Sequence, residues 1–253
     1  MARIQALFFD VDGTIADTER DGHRVAFNAA FREFGCDVVW DVDTYREQLR
    51  VAGGKERMRR CLERSGRFPA GVPEPLVESL HARKTEIFIG LIRDGRLPLR
   101  PGVRRLMTEA LEAGLRLGIC STSSERSVEA LRQAMLPDIP FEVVLAGDVV
   151  RRKKPDPEIY RLALARTGLP AAAAIAVEDS ANGVRAGKAA GMFVVATTNG
   201  YTEGEDLGEA DLVLTALGDP EGEKGVLRQA AGPLDFDGCL HLDALLACVA
   251  RPA

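Results

Sequence analysis

Short apolar runs recur along the chain, and each is followed by a turn and a stretch with helical signals. The runs are Ile4–Phe9, Leu115–Cys120, Val143–Ala146, Ala174–Val177, Met192–Ala196 and Leu212–Leu214. Several are apolar almost without interruption, which is typical of strands buried on both faces of a parallel sheet. Strands that alternate with helices predict an α/β fold with a doubly wound, mainly parallel sheet.

One long segment interrupts this alternation. Residues 17–97 show helical spacing of apolar residues and no convincing strand. We therefore predict an α/β core domain formed by residues 1–16 and 98–253, and an inserted helical cap domain formed by residues 17–97. The insertion would lie over the carboxyl edge of the sheet, where open α/β folds bind ligands. The Gly-, Pro- and charge-rich stretch 218–238 predicts a long surface loop, followed by a short helix at 242–250.

The net charge and the cysteine content indicate which binding partners and which structural sites to expect. The net charge is −5 over 253 residues, which argues against nucleic acid or an anionic membrane as the main partner. The five cysteines are odd in number and show no CxxC spacing, so we expect neither a disulfide framework nor a zinc site. The first residues enter a strand-like run without room for a signal peptide. We predict a cytoplasmic monomer that binds a small molecule.

Polar clusters follow four of the predicted strands. In chain order they are Asp10 with Asp12, then Ser121, Thr122 and Ser123, then Lys154, and finally Glu178 with Asp179. Because the carboxyl ends of parallel strands meet at one edge of a sheet, we expect all four clusters to lie together. Magnesium prefers oxygen ligands, and carboxylates from the first and fourth clusters, with the backbone carbonyl of Asp12, could hold it. The ion would offset the repulsion between these acids.

The same clusters suit phosphoryl transfer. Asp10, at the tip of the first strand, is placed to attack phosphorus and form an aspartyl-phosphate. Asp12 could protonate the leaving oxygen and later deprotonate water. Ser121, the backbone near Thr122, and Lys154 would hold the phosphoryl oxygens and neutralise developing charge.

Each cluster also has an ordinary structural explanation. The first could be a polar turn, the Ser-Thr-Ser group 121–123 a helix N-cap, and the basic run 151–154 a solvated loop. Glu178 and Asp179 could simply favour the N-terminus of the next helix. Their joint occurrence at four successive strand ends favours the catalytic interpretation.

Four short motifs resemble those of the haloacid dehalogenase-like hydrolase superfamily. They are "DVDGT" (10–14), "ICSTS" (119–123), "KKPDP" (153–157) and "VEDS" (177–180). The resemblance implies that Asp10 is the nucleophile and Asp12 the general acid/base. It also implies that Ser121 and Lys154 bind phosphate, and that Asp10, Asp12, Glu178 and Asp179 surround Mg²⁺. The second aspartate, which true dehalogenases of the superfamily lack, indicates phosphate chemistry.

The predicted cap resembles that of the CbbY-like phosphatases, above all the plant type. The matching segments are "ADTERDGHRVAFN" (16–28), "WDVDTY" (40–45), "GGKERM" (53–58), "HARKTEIF" (81–88) and "LPLRPGV" (97–103). The resemblance implies a Mg²⁺-dependent phosphatase that converts xylulose 1,5-bisphosphate, an inhibitory by-product of Rubisco, to xylulose 5-phosphate. It assigns Glu19 to the sugar hydroxyls and places His23 at the substrate. A β-phosphoglucomutase-like mutase, a broader sugar-phosphate phosphatase and a catalytically idle phosphosugar-binding regulator remain alternatives.

The predicted cap also contains cationic candidates for substrate binding. Lys84 interrupts an apolar helical seam within residues 77–91, so its ammonium either reaches water or faces a ligand. His81 lies three residues earlier on the same face. Lys55 and Arg57 follow a glycine pair that could let cations approach an anion, although a solvated helix start is the alternative. Cations opposite a phosphoryl-transfer site suggest a substrate with two anionic groups.

Overall fold

The six predicted strands form one sheet in the computed structural model, which describes residues 3–51, 53–68 and 70–250. The strands are β1 (Ala6–Phe9), β2 (Arg116–Cys120), β3 (Val143–Leu145), β4 (Ala174–Glu178), β5 (Phe193–Thr197), β6 (Leu212–Leu214) and an additional β7 (Leu227–Ala230). Their spatial order is β3-β2-β1-β4-β5-β6-β7. All neighbouring pairs are parallel except β6 and β7. The predicted doubly wound α/β fold is confirmed.

Helices cover both faces of this sheet. They are α5 (Val103–Glu112), α6 (Glu125–Met135), α7 (Glu158–Thr167), α8 (Ala181–Ala189) and α9 (Leu242–Ala250). Side chains alternate between the faces of a strand: in β1, Leu7 and Phe9 join one apolar cluster, whereas Ala6 and Phe8 join the other. All four are fully buried. This double burial is the reason why the strands are almost continuously apolar.

The helical insertion, residues 17–97, supplies all of the buried residues of a third apolar cluster except Tyr201, which comes from the core. It contains a π-helical turn (Glu19–His23) followed by α1 (Arg24–Glu33), α2 (Val42–Leu49), α3 (Gly54–Arg64) and α4 (Glu74–Arg93). Phe27, Phe31, Trp40 and Tyr45 are central to the cluster, whereas Phe34 of the same aromatic stripe is 40% exposed. Among the described residues of this insertion no strand is found. The division into two domains stays a prediction.

Two short segments connect the insertion to the sheet and pair with each other. Ala16 and Leu99 form an antiparallel bridge. The amide of Asp17 donates to the carbonyl of Pro98 (3.2 Å), and the amide of Arg100 donates to that of Ile15 (2.9 Å). The entry and return of the insertion are therefore held side by side, next to the end of β1.

The predicted loop 218–238 contains a strand, so that prediction is wrong in part. β7 pairs antiparallel with β6, with Val213 opposite Gln229. Its sequence, Leu-Arg-Gln-Ala, is partly exposed and lacks the apolar run that marks the other strands. A short, polar edge strand of this kind discourages pairing with other chains. The helix predicted at 242–250 is present as α9. None of the described helices is both long and apolar enough to span a bilayer.

Candidate active site

A cavity lies where the carboxyl ends of the strands meet the helical insertion. Its wall includes twelve of the predicted site residues: Asp10, Asp12, Glu19, His23, Arg57, His81, Lys84, Ser121, Thr122, Ser123, Lys154 and Asp179. The strand-end clusters are adjacent because β1 pairs with both β2 and β4 in a parallel register. The two sides of the cavity therefore come from distant parts of the sequence.

Three carboxylates and one ammonium occupy the floor of the site. Oxygens of Asp10, Glu178 and Asp179 lie within 4.8 Å of one another. The Nζ atom of Lys154 donates to Asp10 Oδ1 (2.7 Å), to Glu178 Oε1 (2.6 Å) and to the carbonyl of Cys120 (2.7 Å). All four charged side chains are buried. Lys154 is thus the structural bridge between the first and fourth strand ends.

The floor carries more negative charge than Lys154 can balance. Burial, together with Glu178 and Asp12, raises the pKa of Asp10 to about 8 despite the neighbouring Lys154. Burial, then Asp10 and Glu178, raises the pKa of Asp179 well above its usual value. The Oε2 atom of Glu178 is buried and has no hydrogen-bond partner among the described residues. Oxygen donors with unbalanced charge fit a hard divalent cation.

Between about pH 6.5 and pH 8, the metal-free protein should lose stability as the pH rises. The folded state keeps the Asp10 proton up to about pH 8, whereas the unfolded chain releases it near 3.8. The free energy of unfolding should therefore fall by up to about 1.4 kcal/mol per pH unit. Thermal denaturation in a chelator measures this slope.

Two other titratable groups set the limits of that pH window, and a variant of Asp10 supplies the control. His81 and Lys84, whose pKa values are lowered to about 4 and about 8, give slopes of opposite sign below and above it. Asp10→Asn should reduce the slope, and added Mg²⁺ should do the same. A stability that stays level or increases from pH 6.5 to 8 in the chelator would contradict the assignment.

Asp12 is held as a carboxylate by three donors. They are Thr18 Oγ1 (2.6 Å), His23 Nε2 (2.8 Å) and the hydroxyl of Ser123. Burial alone would raise the pKa of Asp12, but the contact with His23 and the hydrogen bonds from the two hydroxyls lower it well below its usual value. Asp12 therefore points toward the cavity as an oriented, ionised group.

Lys84 contacts the other ring nitrogen of His23 and determines the direction of its hydrogen bonds. Its Nζ atom lies 2.7 Å from His23 Nδ1, and an ammonium can only donate, so Nδ1 accepts and Nε2–H donates to Asp12. Lys84 is 5% exposed and lies 4.7 Å and 5.0 Å from the ring centroids of Phe27 and Phe88. Of the two alternatives for this lysine, reaching water is wrong, since it faces the cavity from the apolar seam.

A second polar group lines the insertion side of the cavity. The hydroxyl of Tyr45 donates to the carboxylate of Glu19, and Arg57 Nη1 donates to the same hydroxyl (3.3 Å). Arg57 Nε donates to the carbonyl of Val51 (2.8 Å). Glu19 and Arg57 are therefore placed by Tyr45, which is fully buried and which the sequence patterns do not single out.

Three hydroxyl residues of the loop after β2 line the cavity: Ser121, Thr122 and Ser123. Ser124, and not the preceding residues, caps α6 by accepting the amide of Ser127 (3.2 Å). The N-cap interpretation of Ser121–Ser123 is therefore wrong. Ser121 is buried and its hydroxyl accepts the amide of Ser123 (3.1 Å), which leaves its proton free for an incoming anion.

Comparison with known proteins identifies the family to which this site belongs. Residues 4–191 match the family model of the haloacid dehalogenase-like hydrolases. The chain belongs to this family. It is 45% identical over 227 residues to the CBBY-like protein of Arabidopsis thaliana, covering 87% of this chain and 71% of that protein. It is 43% identical over 226 residues to protein CbbY of Cereibacter sphaeroides, covering 88% and 96%.

A solved structure agrees with these matches. The chain resembles a crystal structure of a CbbY variant from Rhodobacter sphaeroides in complex with xylulose 1,5-bisphosphate, with a TM-score of 0.77 and 44% identity. The match covers 84% of this chain and 94% of that one. The predicted family, and the predicted enzyme class of phosphatase, are confirmed.

Two predicted residues of this haloacid dehalogenase-like hydrolase do not line the cavity. Lys55 instead lies 3.4 Å from Asp148 of the core, so the structure gives its assignment to substrate no geometric support. Glu178 belongs to the acidic floor but is covered from the cavity, and Tyr160 and Lys154 both donate to its Oε1 atom.

The sequence patterns do not reveal some of the partners that orient the acids. Asn199 Nδ2 donates to Asp179 Oδ2 (2.6 Å), and it follows β5 at the same edge of the sheet. Extending the strand-end rule to the fifth strand would have found it. Tyr160 lies on α7, and no local signal connects it with Glu178.

A second group of side chains of the types that bind metals lies close to the C-terminal helix, and basic side chains already contact two of its members. Atoms of Asp237, Cys239 and His241 are within 4.8 Å of one another. Lys224 Nζ already lies 3.2 Å from the Cys239 sulfur, and Arg105 Nη1 lies 3.3 Å from His241 Nδ1. Cations at both positions favour a structural role for this group.

Proposed function

We propose that this hydrolase is a Mg²⁺-dependent sugar-bisphosphate phosphatase that acts through an aspartyl-phosphate. The observation that carries the proposal is the position of Asp10. Its carboxylate ends β1, contacts Lys154, belongs to the buried acidic trio and lines the cavity. The opposite wall carries the cationic side chains Arg57 and Lys84.

In the proposed first step, Asp10 attacks phosphorus and the bond to the sugar oxygen breaks. The departing oxygen takes a proton from Asp12, whose low pKa must first increase, and an approaching phosphate dianion has this effect because like charges oppose ionisation. Lys154 and Ser121 hold the phosphoryl oxygens throughout.

In the second step, a water molecule gives a proton to Asp12 and attacks phosphorus, which releases phosphate and restores Asp10. Thr18, His23 and Ser123 keep Asp12 in position between the two steps. Mg²⁺, held by Asp10, Glu178, Asp179 and the Asp12 carbonyl, would neutralise charge on the phosphoryl oxygens.

Both walls of the cavity support a bisphosphate as the substrate class. One phosphate would react on the floor, and the second would meet the cations of the insertion, which would act as a cap that excludes water. The bound xylulose 1,5-bisphosphate of the similar CbbY variant supports this substrate for the present chain. Glu19, oriented by Tyr45, is placed to accept hydrogen bonds from sugar hydroxyls.

A phosphate-release assay with and without Mg²⁺ tests the proposal. The panel is xylulose 1,5-bisphosphate, ribulose 1,5-bisphosphate, fructose 1,6-bisphosphate, phosphoglycolate and β-glucose 1-phosphate. We expect Mg²⁺-dependent release that is fastest with xylulose 1,5-bisphosphate. An isomeric sugar phosphate without phosphate release would instead identify a mutase, and no turnover of any compound would indicate a binding protein.

Arg57→Met should lower kcat/KM for bisphosphates more than for monophosphates. The hydrogen bonds of its guanidinium go to Tyr45 and Val51 and not to Asp12, so chemistry on the floor stays intact while the second phosphate loses a partner. We expect a selective loss of roughly tenfold to a hundredfold, the range for one charged hydrogen bond. Steady-state kinetics with xylulose 1,5-bisphosphate and β-glucose 1-phosphate measure the difference.

Arg59→Met is the matched control on the same helix. Arg59 pairs with Glu74 at the surface and does not line the cavity, so its loss should leave both substrates unaffected. Equal losses for the two substrates in Arg57→Met would contradict a role in second-phosphate binding.

A further inference from the structure

The guanidinium of Arg100, which lies where the chain passes from the insertion back to the sheet, contacts the carboxyl ends of three strands. Arg100 Nη1 donates to the carbonyl of Gly13 and to the carbonyl (3.1 Å) and hydroxyl (3.0 Å) of Thr197. Its Nη2 atom donates to the carbonyls of Thr198 (2.5 Å) and Thr215 (2.9 Å). These acceptors lie at or just after the ends of β1, β5 and β6, so a single side chain holds three strand ends together.

The positive charge of Arg100 is energetically unfavourable at this partly buried position unless it interacts with other charged groups. Its partners are all neutral, and within the described ranges no carboxylate lies at ion-pair distance from Arg100. Burial lowers the pKa of Arg100, and the nearby Asp179 opposes that shift. A partly buried, unpaired guanidinium is unfavourable by itself, which argues that its positive field serves the acidic floor.

Gly13, which Arg100 holds directly, and Asn199, which follows Thr198, both lie against Asp179. Gly13 has a φ of +81°, and a Cβ there would lie 2.3 Å from Asp179 Oδ2 and 2.6 Å from Asn199 Nδ2. Asn199 donates to that carboxylate (2.6 Å) and to the Gly13 carbonyl (3.4 Å). By holding the carbonyls of Gly13 and Thr198, Arg100 therefore fixes the turn and the loop that contact the Asp179 side chain.

We propose that Arg100 is a positioning residue for the divalent cation of the proposed phosphatase. It acts through the Gly13 turn and the Thr198–Asn199 loop, which together orient Asp179, and it does not touch the substrate. Its backbone amide also donates to Ile15 in the connection to the insertion. The inference rests on the proposed function, because it assumes that the acidic floor binds Mg²⁺.

Mg²⁺ binding, measured by calorimetry without substrate, tests the inference. Arg100→Met should weaken Mg²⁺ binding by roughly tenfold, the lower end of the range for direct partners of metal ligands, because Arg100 acts on Asp179 through Gly13 and Asn199. Arg100→Lys should recover little of this loss, since one ammonium cannot replace a planar fork that donates to several carbonyls. Phosphate release should then need correspondingly more Mg²⁺ and approach the wild-type kcat at saturation.

Arg105→Met is the matched control. Arg105 also donates to backbone carbonyls, those of Leu217, Gly218 and Leu240, but none of these carbonyls belongs to the Gly13 turn or the Thr198–Asn199 loop. It should lower thermal stability with Mg²⁺ affinity changed by less than about twofold. Wild-type affinity in Arg100→Met, or an equal loss in Arg105→Met, would overturn the inference.

Two further outcomes separate the inference from its premise. If Arg100→Met does not fold, wild-type Mg²⁺ affinity in Arg100→Lys would overturn the inference, and weakened affinity would support it. If the wild-type protein binds no Mg²⁺ and releases phosphate without it, the proposed function is wrong and the inference is wrong with it.

Discussion

Replacing Asp10 by asparagine should abolish phosphate release while leaving the fold intact. An amide of the same shape cannot attack phosphorus, so the covalent route is lost and kcat should fall by at least about 10⁴-fold. Asp10 is buried beside two other acids and keeps its proton up to about pH 8 in the metal-free protein, so asparagine removes the free-energy cost of protonating this side chain on folding. We therefore expect an unchanged or higher melting temperature in a chelator, measured by calorimetry alongside the phosphate-release assay.

The aspartyl-phosphate itself supplies the control for this variant. Rapid acid quenching with radiolabelled substrate should give a hydroxylamine-sensitive label on the wild-type protein and none on Asp10→Asn. Asp17→Asn, at an aspartate that is exposed and does not line the cavity, should retain both label and turnover. Substantial turnover in Asp10→Asn would exclude the covalent mechanism, whatever the family.

The sheet and the floor of the site could be predicted from the sequence because one physical cause produces both signals. Strands covered on both faces must be apolar, and β1 and β4 are fully buried. Polar residues become possible only where such strands end. The sequence alone therefore indicates Asp10, Lys154 and Asp179 as site residues, and in the fold they do meet.

What the sequence could not show depends on contacts between distant segments. Tyr45 orients Glu19 and Arg57 from a different helix, and its sequence neighbourhood is an ordinary amphipathic turn. Arg100 acts through carbonyls, which every residue possesses, so no pattern of side chains indicates its acceptors. The apolar pattern does not reveal β7, because pairing with β6, and not its own composition, makes it a strand.

Lys84 is an intermediate case, because the sequence predicts the environment of its side chain but not its partner. Its place in an apolar seam correctly indicates that it does not behave as a surface lysine. The identity of its partner, His23, depends on how the π-helical turn lies against α4, where the His23 ring stacks on Phe88 with centroids 3.8 Å apart. Periodicity gives the face of a helix but not the residue that meets it.

Lys154→Met should have the largest combined effect on stability and turnover. Methionine fills a similar volume, but Asp10 and Glu178 lose the ammonium that contacts both, and breaking a buried pair typically costs about 3–5 kcal/mol. The phosphoryl oxygens lose the same cation, so kcat should fall by roughly 10³-fold or more. Chemical denaturation and steady-state kinetics in saturating Mg²⁺ measure the two effects.

The pH dependence of that variant distinguishes a charge effect from a packing effect. Without the ammonium, the pKa of Asp10 should rise further above 8 in the folded state, so the stability loss should stay nearly level from pH 5 to 7 and grow as the pH rises through about 8. Lys153→Met is the control, because Lys153 pairs with exposed Asp148 (2.9 Å) and lies outside the cavity wall. A stability loss independent of pH, or equal kinetic losses in both variants, would show that Lys154 acts by filling space and not by balancing the acids.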